Sequence, residues 1–155
     1  MLHKTFHESV MVGTALLPTT ISAATAVNGS TIALNFGGSA ISFMVHATGI
    51  SGDEVATVKF EESADNSTFT KVQSNDAAAD LSFTIPEAGA GDEGTAMATI
   101  PFAKLLETTK YLRMVVTSAG TTISYVAAAQ YVISGFQSRP TSQVDKTFAA
   151  CVSFV

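Results

Sequence analysis

Apolar and polar residues alternate along two stretches of the chain. Residues 40–48 read AISFMVHAT, and residues 110–117 read KYLRMVVT. Successive side chains of a β-strand point to opposite faces of a sheet, so a period of two places one set on a core and the other outward. Both stretches are therefore predicted to be strands with one buried face, and Met44 and His46 fall on the outward side. The predicted inward set is Ile41, Phe43, Val45, Ala47, Leu112, Met114 and Val116.

A second run of apolar and β-branched residues, 121–133, follows the strand at 110–117 after a short break. The break, Ser118-Ala119-Gly120, has the length of a three-residue hairpin loop, and its glycine is free to adopt a positive φ. We therefore predict a long β-hairpin over residues 110–133 and place it at the centre of the fold.

Clusters of Gly, Asn, Asp, Ser and Pro divide the rest of the sequence into further short strands, with one helical turn at 102–108. The pattern predicts an all-β fold, an antiparallel β-sandwich of about eight strands of jelly-roll or immunoglobulin-like type, because each amphipathic sheet must bury one face. A closed barrel is the alternative. The remaining predicted strands cover 21–27, 31–36, 55–62, 68–72, 81–85 and 95–100.

The two ends of the chain lack this periodicity. We predict an N-terminal arm over residues 1–22, a β-sandwich domain over 23–135, and a C-terminal arm over 136–155. Apolar side chains in such arms are candidates for contact with a partner. These candidate contact residues are Phe6, Val10, Leu16, Leu17, Phe136, Phe148 and Phe154.

Charged residues make up 14% of the sequence, against roughly 25% in soluble domains. Partners that cover much of the surface would explain this low charge; the alternative is a secreted monomer coated with Ser and Thr. The net charge is −5 and the basic residues are scattered, which argues against nucleic-acid binding. No stretch approaches the roughly 18 apolar residues of a membrane-spanning helix, so no membrane partner is predicted.

The sequence contains no recognisable catalytic constellation, and we predict neither an enzyme nor a bound cofactor or metal. His3 and His7 have a helical metal-ligand spacing, but a zinc site needs further convergent ligands. Glu87, Asp92 and Glu93 lie in a glycine-rich loop. A solvated acidic turn is the favoured interpretation of that loop, because Ca²⁺ takes about six or more oxygen ligands.

Two segments resemble hallmark segments of small structural proteins of tailed bacteriophages. They are residues 58–72, VKFEESADNSTFTKV, and residues 110–122, KYLRMVVTSAGTT. In those sequences a turn of this type follows a strand, and a Tyr-Leu-Arg strand comes later. The resemblance covers roughly residues 32–132 and implies a virion protein.

The resemblance implies a capsid decoration or cement subunit on the capsid surface, synthesised in the host cytoplasm. Its expected partners are the major capsid protein and neighbouring copies of itself, in a homo-oligomer for which a trimer is one option. The alternative is a binding module on the tail or head that recognises host-surface glycans. The absence of Trp and an aromatic content of 8% weaken that alternative, because glycan sites use exposed aromatic platforms.

Overall fold

The computed structural model describes residues 10–34, 38–50, 54–73, 79–85, 93–121 and 123–135. These residues form β-strands and one 3₁₀ turn at Phe102–Lys104, without an α-helix. The strands are β1 (Val10–Ile21), β2 (Val27–Asn28), β3 (Ile32–Ala33), β4 (Ala40–Thr48), β5 (Val55–Ser63), β6 (Thr70–Lys71), β7 (Ser82–Thr84), β8 (Glu93–Pro101), β9 (Tyr111–Ala119) and β10 (Tyr125–Ser134).

The strands form two antiparallel sheets. The four-stranded sheet has the order β1-β10-β4-β8, and the six-stranded sheet has the order β2-β9-β5-β6, with β3 also paired to β9 and β7 to β5. One apolar core is shared between them, and the rings of Phe43 and Phe60, from different sheets, lie 4.8 Å apart between centroids. The prediction of an all-β antiparallel sandwich is confirmed.

Alternation places the core residues as expected in the central strands. Every predicted inward residue of β4 and β9 is buried, and Val58 and Phe60 of β5 join them. The hairpin from β5 to β6 is also present, with Glu61 opposite Lys71. Phe69 differs from its prediction as a core residue, because it is half-buried beneath the guanidinium of Arg113.

The predicted hairpin over residues 110–133 is wrong, although both of its strands exist. Strand β9 pairs with β2, β3 and β5, whereas β10 pairs with β1 and β4 in the other sheet. The chain therefore arches from one sheet to the other after Gly120, which has a φ of 139°. Alternation shows that a strand has one buried face, but it does not show which strand lies beside it.

The predicted N-terminal arm is wrong over residues 10–21, because these residues form β1. This strand pairs with β10 along its length, from Val10 opposite Ser134 to Ile21 opposite Tyr125. Its register shifts twice, between Thr14 and Leu16 and again before Thr19. The predicted C-terminal arm and residues 1–9 lie outside the described residues.

Candidate interaction surface

The outward side of the four-stranded sheet carries no Asp, Glu, Lys or Arg among its described side chains. Strands β1, β4 and β10 contain none of these residues, and β8 contains only Glu93, at its first position. The alternation that buries one side of each strand leaves Thr, Met, Val and small residues on the other. We call this surface the methionine face. It comprises Val12, Thr14, Ser42, Met44, His46, Thr48, Thr95, Met97, Thr99, Val126, Ala128, Gln130 and Val132.

Two methionines form the exposed apolar centre of this face. Met44 lies directly opposite Met97 in the β4–β8 ladder, and Gln130 lies on the other side of Met44. Met97 is 69% exposed and Met44 is 43% exposed. A methionine side chain is flexible and polarizable, so it adapts to the shape of a partner. Complete burial of such a side chain is worth about 1.5–3 kcal/mol.

Four polar side chains of the methionine face hydrogen-bond in pairs. The hydroxyls of Ser42 and Thr99 are 2.8 Å apart, and Nδ1 of His46 is 3.1 Å from Oγ1 of Thr95. Both pairs join β4 to β8. Because these groups keep their hydrogen bonds when the face is covered, the desolvation cost of covering it is lowered.

A shallow hollow lies at one end of the methionine face, lined by His46, Ala47, Thr48, Val126 and Ala128. Its volume is about 180 Å³. Sites for small ligands usually enclose about 300–1,000 Å³. The hollow is therefore small for an organic ligand, and the flat face around it is better suited to the surface of another protein.

The outward side of the six-stranded sheet has the opposite character. Arg113 donates to the carboxylate of Glu61 from Nε at 2.8 Å and from a terminal nitrogen at 2.6 Å, and its guanidinium lies 3.9 Å from the centre of the Phe69 ring. Lys71 pairs with Asp80 at 2.8 Å. The hydrogen bond from Lys71 holds the pKa of Asp80 below its ordinary value. The two sides of the sandwich thus differ sharply in charge.

Two buried carboxylates accept hydrogen bonds from the backbone of segments that connect strands. Glu54 accepts a hydrogen bond from the backbone N–H of Ser124 at 2.5 Å, and Glu62 accepts from the backbone N–H of Leu106 at 3.0 Å.

Within the described residues, no group of three His, Cys, Asp or Glu side chains is placed to hold a metal ion. The same part of the chain has no helix long and apolar enough to cross a membrane.

The structure changes the set of predicted contact residues. Leu16 is 4% exposed and packs in the core, so it is not available to a partner. Its neighbour Leu17 is 61% exposed, and Val10 is half-buried at the start of β1. The other candidate contacts lie outside the described residues: Phe6, Phe136, Phe148 and Phe154.

Sequence reasoning missed Met97 and the face around it. The sequence does contain a signal for this face, because the segments that form β1, β4 and β10 contain no charged residue. What the sequence could not show is that these segments lie side by side in one sheet with β8. That arrangement turns scattered neutral residues into one continuous surface.

The fold and this surface define a two-sheet antiparallel β-sandwich protein in which the described side chains on one outer side carry no formal charge. No protein-family model and no curated protein sequence matches the chain. Solved structures nevertheless share its architecture. A chain of the T13 particle of infectious bursal disease virus aligns with a TM-score of 0.54 at 12% identity, over 86% of this chain and 33% of that chain.

Two further solved structures align in a similar way. A chain in the structure of the Gx strain of infectious bursal disease virus gives a TM-score of 0.53 at 14% identity, over 83% of this chain and 33% of that chain. The PBSX exported protein XepA gives 0.50 at 13% identity, over 99% of this chain and 46% of that chain. The chain therefore spans about a third of the viral chains and under half of XepA. At these identities the likeness is one of fold.

Proposed function

We propose that this chain is a structural protein of a virus particle, a decoration or cement subunit that binds the outer surface of a capsid through its methionine face. The observation that carries the proposal is the absence of formal charge from the described side chains of one whole side of the sandwich, beside a charged opposite side. The resemblance to tailed-phage structural proteins and the fold shared with chains of a virus particle support the same class of function.

The mechanism is adhesive. Covering Met44, Met97 and the neutral side chains around them removes apolar area from water, at about 25 cal/mol per Å². Part of this gain is lost to ordering and association. A particle carries many equivalent sites, so modest affinity at each subunit joint adds resistance to expansion of the whole shell. The charged six-stranded sheet would then face solvent.

The partners in this proposal are the major capsid protein and neighbouring copies of the chain, and the location is the capsid surface. A role without catalysis is part of the proposal. It is supported by the buried carboxylates Glu54 and Glu62, which accept hydrogen bonds from backbone N–H groups and so hold the connections between strands. Residues 1–9 and 136–155 are retained as further contact segments on the basis of their apolar residues.

The alternative function, glycan recognition, is best examined at a hollow of about 240 Å³ beside Glu62, Asp65 and Thr70. Its carboxylates already accept hydrogen bonds from within the chain, Asp65 from the backbone N–H groups of its own turn and Glu62 from Leu106. None of the described residues that line it has an aromatic ring. We therefore expect a glycan array to give no hits, and reproducible binding to one sugar class would favour the alternative.

Binding to particles tests the proposed surface. Particles formed without this chain, from the genome that encodes it, are mixed with the purified chain and sedimented. The wild type is expected to co-sediment, and Met44→Lys is expected to lose binding because it buries a charge in the contact. The matched control is Thr84→Lys, which adds the same charge at an exposed position on the six-stranded sheet. Undiminished binding of Met44→Lys would exclude the methionine face as the contact.

A further inference from the structure

Strand β8 forms one edge of the four-stranded sheet. It pairs with β4 along its whole length of nine residues, without a register shift, and no strand among the described residues lies on its other side. A free edge presents unpaired N–H and C=O groups that invite another strand. Proteins usually block such edges with Lys, Pro or a bulge. β8 has no Lys or bulge, and its proline, Pro101, is the last residue.

When two copies of β8 are paired antiparallel, compatible residues lie opposite each other. Full overlap of Glu93–Pro101 with a second copy places Met97 opposite Met97 of that copy, because position 97 is the middle of the strand. Thr95 then lies opposite Thr99, which makes a favourable cross-strand pair. At the ends of the overlap, residue Glu93 lies opposite Pro101 in the register.

We propose that two copies of this chain pair through β8, with a two-fold axis at Met97, so that their four-stranded sheets join into one continuous sheet. Full overlap sets residues of the same face opposite each other, so the two methionine faces lie on one side of the joined sheet. A strand from an unrelated protein would fit the same edge, but the sequence of β8 already places Met97 opposite Met97 and Thr95 opposite Thr99 in its own copy. The inference does not depend on the proposed function.

The pairing specifies the symmetry of the assembly. Antiparallel pairing of a strand with its own copy is isologous and closed, so it yields a dimer. A trimer would need a different contact. Met97, the most exposed large apolar side chain among those described, would lie beside Met97 of the second copy in the dimer.

Sedimentation velocity and light scattering of the full chain test the assembly. We expect the wild type to be a dimer and Met97→Lys to be a monomer, because the two introduced charges would lie opposite each other at the axis. Met44→Lys is the matched control, since it places the same charge on the same face one strand away from the edge, and it should remain a dimer. A monomeric or trimeric wild type, or loss of the dimer in Met44→Lys alone, would overturn the proposal.

Disulfide trapping tests the register. In a Cys151→Ser background, Met97→Cys should give a covalent dimer on mild oxidation. Residues directly opposite in antiparallel strands have Cα atoms about 4.5–5.5 Å apart, within the range of about 4.4–6.8 Å that disulfides span. Met44→Cys in the same background should stay uncrosslinked, because a strand separates it from the axis. A dimer that Met97→Cys fails to trap would refute pairing centred on Met97.

Discussion

The carboxylate of Glu62 accepts a hydrogen bond from the backbone N–H of Leu106 at 3.0 Å, across a sequence separation of 44 residues. The hydroxyl of Thr109 donates to the same oxygen. Glu62 lies at the end of β5, and the segment that it holds carries the chain from β8 in one sheet to β9 in the other. One buried side chain thus fixes a connection between the two layers.

Replacing this carboxylate should destabilise the sandwich. Glu62→Ala leaves the N–H of Leu106 without its partner, and we expect the free energy of unfolding to fall by about 1–3 kcal/mol. Chemical denaturation measures the change. Glu107→Ala, at an exposed position in the same segment, serves as the control and should stay within about 0.5 kcal/mol of the wild type. Equal stability of the two variants would show that Glu62 does not hold the connection.

Strand β1 should prove essential to the fold. A Cβ atom at position 13 would overlap the ring of Tyr131 on β10. We therefore expect Gly13→Ala to lower the free energy of unfolding by about 1–3 kcal/mol, as overpacking usually does. Leu17→Ala, at an exposed position on the same strand, should be nearly neutral. If both variants unfold at the wild-type denaturant concentration, β1 is not packed against β10.

Deletion of residues 1–22 is a second test of whether β1 is required for folding. The deletion removes Met11, Ala15, Leu16 and Ile21 from the core and leaves β10 without one neighbour. We expect loss of the cooperative unfolding transition, recorded by circular dichroism during denaturation. A truncated chain that still unfolds cooperatively would restore the interpretation of this segment as an arm.

The arch between β9 and β10 is closed by a hydrogen bond between the hydroxyls of Ser118 and Tyr125. Burial raises the pKa of Tyr125, so its hydroxyl keeps its proton near neutral pH. We expect Tyr125→Phe to lower the free energy of unfolding by about 0.5–1.5 kcal/mol. In a double-mutant cycle with Ser118→Ala, the two effects should be less than additive. Additive effects would show that the pair does not act together.

Acid should weaken the turn at residues 63–67. The carboxylate of Asp65 accepts hydrogen bonds from the backbone N–H groups of Thr68 and Ser67, both at 2.9 Å, and these hold its pKa well below its ordinary value. Because the folded pKa is the lower one, the contribution to stability is present above the unfolded pKa of about 3.9. It is lost as the pH falls from there towards the folded pKa.

Urea unfolding at several pH values between about 6 and 2 measures this effect. The wild type should lose more stability on acidification than Asp65→Asn, because the variant has no carboxylate to protonate at that position. Parallel pH profiles for the two proteins would show that Asp65 does not stabilise the turn through its charge.

Much of the sandwich follows from local patterns. The regular alternation around Phe43 in β4 and Phe60 in β5 gave those strands and their buried faces, because each strand keeps a strict period of two. Strand β1 escaped prediction because its period breaks, with Ala15 and Leu16 buried in succession at a register shift. A bulge of this kind is set by pairing with β10, and no local pattern shows that pairing.

The candidate surface was the part least accessible from sequence. Met44 was placed correctly on the outward side of β4, but its neighbour Met97 is 53 residues away in the chain and became relevant only through the β4–β8 ladder. Likewise the glycine at position 120 suggested a hairpin. Only the pairing of β9 and β10 in different sheets shows that the connection is an arch. Pairing between strands that are distant in the sequence determines both features, and local residue preferences do not show which strands pair.

Reconstruction of purified particles from the genome that encodes this chain tests directly whether the chain binds the capsid through its methionine face. We expect density for the sandwich on the outer capsid surface, with the methionine face around Met44 turned to the shell and the Arg113 side turned to solvent. Particles that lack the chain, or density in which the charged six-stranded sheet contacts the shell, would contradict it.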